Sequence, residues 1–187
     1  LVHLIIEKIC KGSLKEQDID KFIKDYTDLI TDEDIKHIKR CLNTYFKSDL
    51  HNTLEKTNTE YPFIYQLKDR CYITGIIDFL KVREAHLEIV DFKTNIKIDE
   101  NLLDIYKFQV QTYALAMTKI SDIPIKSAKV ASLYEDRSID IDISSQALNL
   151  CNDKLLDLVI AIEGNSFPKT NNESRCAYCG YNGVFCK

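Results

Sequence analysis

The chain has 187 residues, 45% of them hydrophobic and 29% charged, the make-up of one globular domain long enough for a real core. Its formal net charge of −4 argues against a general polyanion-binding surface, without excluding an acidic site whose metal ions supply local positive charge. No apolar run approaches the ~20 residues of a membrane-spanning helix and no signal peptide is visible; the start on Leu1, inside an apolar pattern, suggests a domain cut from a longer protein.

In chain order, "LVHLIIEKIC" carries Leu1, Leu4, Ile5 and Ile9 at helical spacing and stops at Gly12 and Ser13. "SLKEQDIDKFIKDYTDLI" predicts a second helix with Ser13 and Glu16 as its capping box. "TDEDIKHIKRCLNTYFKSDLHNTLEK" predicts a third, capped by Thr31, with Ile35, Ile38, Cys41, Leu42, Tyr45 and Phe46 as its apolar stripe. The period then changes. "EYPFIYQL", "CYITGIIDFLKV" and "HLEIVDFKT" are β-branched and aromatic, with turns near "KDR" and "REA", and predict a three-stranded antiparallel meander. "NLLDIYKFQVQTYALAMTKI" returns to helical spacing through Leu102, Ile105, Phe108, Tyr113 and Ala116. "KSAKVASLYE" and "SIDIDI" are further strands, and "SQALNLCNDKLLDLVIAIEG" is a last long helix stopped by Gly164. The order predicts an α/β (α+β) domain, a sheet with helices packed on it: a helical part over 1–57, sheet and helices over 58–165, and a cysteine-rich tail over 166–187.

The hairpin "GIIDFLKVREAHLEIVDFKTN" is the anomaly. Its two apolar runs each carry an aspartate, Asp78 and Asp91, and Lys93 follows two residues after the second. An unpaired buried carboxylate is costly or titrates away from its ordinary range. Strand alternation sends Asp91 and Lys93 to one face, and a hairpin about "REA" brings Asp78 close across it. Two carboxylates repel unless a cation lies between them; Mg²⁺ and Mn²⁺ take such oxygen ligands together with a substrate phosphate. A lysine beside that ion can orient a water or stabilise charge on a phosphate. In the metal-free protein, Asp78→Ala is then expected to leave the fold intact or slightly more stable.

Gln109 and Tyr113, four apart, share a helix face and can support such a site, whereas Gln111 points elsewhere and is expected in solvent. His3 stands among apolar residues. Of seven cysteines, Cys176, Cys179 and Cys186 cluster in "CAYCGYNGVFCK", in a stretch with no apolar period. The spacing suits a thiolate metal site better than a secreted disulfide scaffold, but zinc and iron–sulfur sites both want four ligands.

Together, "LVH", "GIIDFL", "EIVDFKT", "QVQTY" and the terminal C-x2-C-x6-C, in this order over essentially the whole chain, resemble the RecB-family nucleases of the PD-(D/E)XK superfamily. The proline of the family's name is replaced by Ile77. The resemblance implies a restriction-endonuclease-like core with a mixed central sheet and Mg²⁺- or Mn²⁺-dependent hydrolysis of DNA. It implies His3, Asp78, Asp91 and the Phe92 carbonyl as metal ligands, Lys93 as catalytic, and Gln109 and Tyr113 as supporting residues. In the helicase-associated (AddAB-type) and CRISPR-associated members, three such cysteines join an upstream fourth to hold a [4Fe–4S] cluster. Here that fourth ligand lies before Leu1, or is Cys10, Cys41, Cys71 or Cys151; zinc is the alternative metal. The implied setting is intracellular and cytoplasmic, acting on single-stranded DNA or DNA ends with a helicase domain or partner, in repair, recombination or CRISPR adaptation. A non-cleaving DNA-binding or protein-interaction module is the alternative. Glu60, in "EYPFIYQL", matches an acid often found before the first strand, and is expected to be solvated.

Overall fold

The computed structural model describes residues 1–26, 29–51, 57–166 and 176. They fall into two compact units, Leu1–Asn152 and Asp153–Lys187. The first unit holds the sheet, four helices and the start of a fifth. No described helix is long and apolar enough to cross a membrane.

Helix α1 spans Val2–Cys10. It ends where Gly12, at φ +69°, lets Gly12 N–H reach the Ile9 carbonyl and Ser13 N–H the Lys8 carbonyl, both at 2.9 Å. That ending changes the next start. Ser13 Oγ donates to the Lys8 carbonyl at 3.1 Å, so it closes α1 and forms no capping box with Glu16. A 3-10 turn over Glu16–Asp18 leads instead into α2, Ile19–Tyr26.

The Thr31 cap of α3 (Asp32–Lys47) is a capping box with Asp34: Asp34 N–H donates to Thr31 Oγ1 at 3.2 Å and Thr31 N–H to Asp34 Oδ2 at 3.0 Å. The helix stops earlier than its periodicity suggests. Ser48 is extended, and its hydroxyl donates to the Tyr45 carbonyl at 2.6 Å, giving the backbone an alternative to another turn.

Strands β1 (Thr57–Lys68), β2 (Cys71–Val82) and β3 (Leu87–Lys93) form the expected antiparallel meander. Helix α4 (Glu100–Ile120) crosses back to β4 (Ile125–Ser132), which runs parallel to β3, and β5 (Arg137–Asp140) pairs antiparallel to β4. The sheet order is β1-β2-β3-β4-β5. Helix α5 spans Ser145–Glu163.

One core forms where α1, α2 and α3 cover the sheet. Ile5, Ile6, Cys41, Leu42 and Tyr45 pack there with Phe79, Val90, Phe92, Ala131 and Leu133. Alternation along β3 sends the intervening Asp91 and Lys93 the other way, toward α4. The second half of α4 is buried through Val110 and Tyr113–Met117, but Leu102 and Phe108 are only half-buried and Ile105 is exposed. A helix of 21 residues is about 31 Å long, against about 23 Å for the seven-residue β3. The first turns of α4 therefore overhang the strand at its Lys93 end.

Candidate active site

The register of the hairpin is fixed by the pairs Val82↔Leu87 through Phe79↔Val90. One step further, beyond the last paired residues, Asp78 stands across from Asp91. The Asp78 Oδ2 accepts from Phe92 N–H at 2.7 Å. His3, in the first turn of α1, reaches the same place. Its Nε2 donates to the Phe92 carbonyl at 2.9 Å and lies 3.3 Å from Asp78 Oδ2. One imidazole, one carboxylate and one main-chain carbonyl thus surround a single proton.

Asp91 lies near enough to Asp78 and His3 to feel both charges and is 0% exposed. Lys93 Nζ stands 2.8 Å from its Oδ2, and among the described residues no other donor meets either Asp91 oxygen. Buried carboxylate oxygens are almost always satisfied, so this pair is conspicuous. Lys93 is turned by other groups as well. It donates to Gln109 Oε1 at 3.0 Å, and its ammonium lies 4.4 Å from the centre of the Tyr106 ring. Gln109 Nε2 in turn donates to the Tyr113 hydroxyl at 2.6 Å, the contact that spacing on one helix face predicts.

Burial, reinforced by the nearby Asp78 charge, pushes the Asp91 carboxyl up to about 6, against the pull of Lys93 and His3. His3 is raised above its ordinary value, first by its bond to Asp78 and then by that residue's charge and the Phe92 carbonyl, with burial opposing. The site therefore favours holding protons where it lacks a cation.

The donors suit a hard divalent ion: the buried Asp91 carboxylate, whose one close donor among the described residues is Lys93, a second carboxylate, an imidazole and a carbonyl. They do not yet form a closed cage, since among the described residues no three His, Cys, Asp or Glu side chains gather as a metal-holding group. His3 and Asp78 are engaged with Phe92, and Asp91 with Lys93.

Three placements differ from expectation. Glu60 is not a solvated acid ahead of the first strand. It lies within β1 at φ +49°, is only partly exposed, and its carboxyl is raised by burial and then by the Asp78 charge. Its nearness to the site follows from the β1–β2 register and has no local signature. Gln111 is half-buried and donates to the Asp142 carbonyl at 2.9 Å. Tyr106 carries no motif, yet it flanks Lys93; its position three before Gln109 was the available signal.

Of the cysteine cluster, only Cys176 lies within the described residues; Cys179 and Cys186 fall outside them. Two internal candidates for a fourth ligand are core residues. Cys41 is fully buried, with its thiol pushed up to about 11 by burial, and Cys151 is 1% exposed. Cys10 Sγ is 3.2 Å from the Tyr45 hydroxyl. A buried thiol held neutral is a poor metal ligand.

Known proteins resemble this chain over most of its length. An ATP-dependent helicase/nuclease subunit of Clostridium perfringens strain 13 is 24% identical over 165 residues, covering 74% of this chain and 13% of that protein. Its counterpart from strain ATCC 13124 is 23% identical over the same coverage, so the chain spans about an eighth of these relatives. The crystal structure of SSO0001 superposes with a TM-score of 0.47 at 16% identity, over 81% of this chain and 67% of that one. The profile of the PD-(D/E)XK nuclease superfamily matches residues 1–186, and with a five-stranded mixed sheet flanked by helices this chain belongs to that superfamily.

Proposed function

We propose that this chain is the nuclease module of a DNA-processing protein, hydrolysing phosphodiester bonds of single-stranded DNA or DNA ends with Mg²⁺ or Mn²⁺. The observation that carries the reading is Asp91: a fully buried carboxylate whose one close donor among the described residues is the Lys93 ammonium, itself fixed by Gln109. Asp91, Asp78, His3 and the Phe92 carbonyl would hold the ion. When bound, the ion lowers the pKa of a coordinated water and neutralises charge on the phosphate. Lys93 would orient the attacking water or meet the charge developing on a phosphate oxygen, while Gln109 and Tyr113 hold the ammonium in place.

The similarity to helicase/nuclease subunits supports a helicase domain or partner and a role in repair or recombination. A part in CRISPR adaptation rests on the sequence resemblance alone. We extend the reading to Cys176, Cys179 and Cys186 as ligands of a [4Fe–4S] cluster or zinc, on their spacing only. Visible absorbance of the purified protein, with iron and zinc analysis, separates the two.

The test of the activity is cleavage of end-labelled single-stranded and duplex DNA. Products are expected with Mg²⁺ or Mn²⁺, fastest on single strands, and none with a chelator. Equal cleavage in the chelator would exclude the reading.

A further inference from the structure

We propose that Phe63 and Gly75, which lie outside the set of residues assigned to the site, are positioning residues for Lys93 and act through Tyr113 and Gln109. The inference rests on the nuclease reading for its consequence, but its geometry is independent of any metal.

Phe63 on β1 and Gly75 on β2 are direct partners in the antiparallel ladder. The Phe63 ring lies over the glycine so closely that a Cβ on Gly75 would meet ring carbons at 2.6 and 2.7 Å. Real Cβ atoms do not approach that near. Only glycine lets the ring occupy this place, a close approach that accounts for a glycine inside an otherwise β-branched strand. The ring is 4% exposed, so it has no solvent to move into.

From there the contacts continue without a gap. The Phe63 ring meets the Tyr113 ring edge to face, with centroids 5.6 Å apart and planes at 75°. Tyr113 is held against the strand pair, and the same Cβ on Gly75 would stand 3.5 Å from its Cε1. The Tyr113 hydroxyl receives Gln109 Nε2 at 2.6 Å, and Gln109 Oε1 receives Lys93 Nζ at 3.0 Å. Lys93 Nζ then stands 2.8 Å from Asp91. The position of the ammonium is thus set by an aromatic pair on the strands as well as by its own helix partner. A displacement of a reacting group by about 1 Å can cost on the order of a hundredfold in rate.

The test is a double-mutant cycle in the full chain, measuring cleavage of labelled single-stranded DNA with Mn²⁺, alongside the NMR signal of the Gln109 side-chain amide. Gly75→Ala is expected to lower kcat about tenfold or more with little change in KM. In a Tyr113→Phe background, where no hydroxyl receives Gln109, Gly75→Ala should change kcat by less than about twofold. Gly75→Ala should move the Gln109 amide signal in the wild-type background. Phe63→Leu, which removes the ring contact with Tyr113, should also lower kcat, and it guards against loss of folding: Gly75→Ala with Phe63→Leu should melt higher than Gly75→Ala alone, yet cut no faster than Phe63→Leu. An equal loss of rate on Gly75→Ala in both tyrosine backgrounds, or an unmoved amide signal, would overturn the proposal. If the wild type does not cut, the nuclease reading fails while the amide signal still decides this one.

Discussion

Lys93 Nζ and Gln109 Oε1 are joined by a 3.0 Å hydrogen bond that ties the end of β3 to the overhanging half of α4. The bond leaves the ammonium facing Asp91 instead of solvent, with Tyr106 beneath it. Replacing Gln109 by Ala should lower kcat by about tenfold to a hundredfold and, because it leaves the Lys93 ammonium and the Tyr113 hydroxyl without a part-buried partner, cost about 1–3 kcal/mol of stability. Steady-state cleavage rates beside thermal melts check this.

Asp91 makes the metal-free protein pH-sensitive. Its folded carboxyl sits at about 6, above the ordinary 3.8, so the folded state binds the proton more tightly than the unfolded state does. The associated stability is fully present below about pH 4 and is lost as pH rises through about 6, on the order of 3 kcal/mol in all. Asp91→Asn, which cannot ionise, should show a flatter stability profile between these pH values. Urea unfolding in a chelator at a series of pH values reads the two slopes; parallel slopes would contradict the assignment.

Asp78 is held by contacts that the sequence expectation did not include. Repulsion between two carboxylates suggested that Asp78→Ala would leave the fold intact or stabilise it. Asp78 instead accepts the Phe92 N–H and neighbours His3 at the end of the ladder. Removing it orphans a part-buried donor, a loss of about 1–3 kcal/mol. The variant should unfold at lower urea concentration than the wild type in metal-free buffer, with cleavage abolished.

The His3 proton competes with any cation. Nε2 must give up its hydrogen to become a ligand, and the bond to Asp78 holds that proton more firmly than usual. Asp91, raised to about 6, must also ionise. Mn²⁺ affinity should therefore rise with pH through and above 6, with proton release on binding. Calorimetry in buffers of differing ionisation enthalpy measures that release; His3→Asn should reduce it.

Much of the site was legible before the fold. The pairs Asp91–Lys93 and Gln109–Tyr113 follow from the strand and helix periods, which act locally. The part played by Asp78 was not, because it depends on where β2 and β3 cease to pair. Glu60 was noticed but read as a solvated acid, and Phe63 was not singled out, for a related reason: each reaches the site's surroundings through the β1–β2 register, a long-range fact. Ser13 shows a local failure, since two helix ends compete for one hydroxyl and α1 takes it.

The most direct test sets wild type, Asp91→Asn and Lys93→Ala side by side on end-labelled single-stranded DNA with Mn²⁺, at pH 8 to keep Asp91 ionised. The account predicts cleavage by the wild type and losses of about a hundredfold or more in both variants, with far-ultraviolet circular dichroism showing that they remain folded. Cleavage by folded Asp91→Asn or Lys93→Ala at the wild-type rate would contradict it.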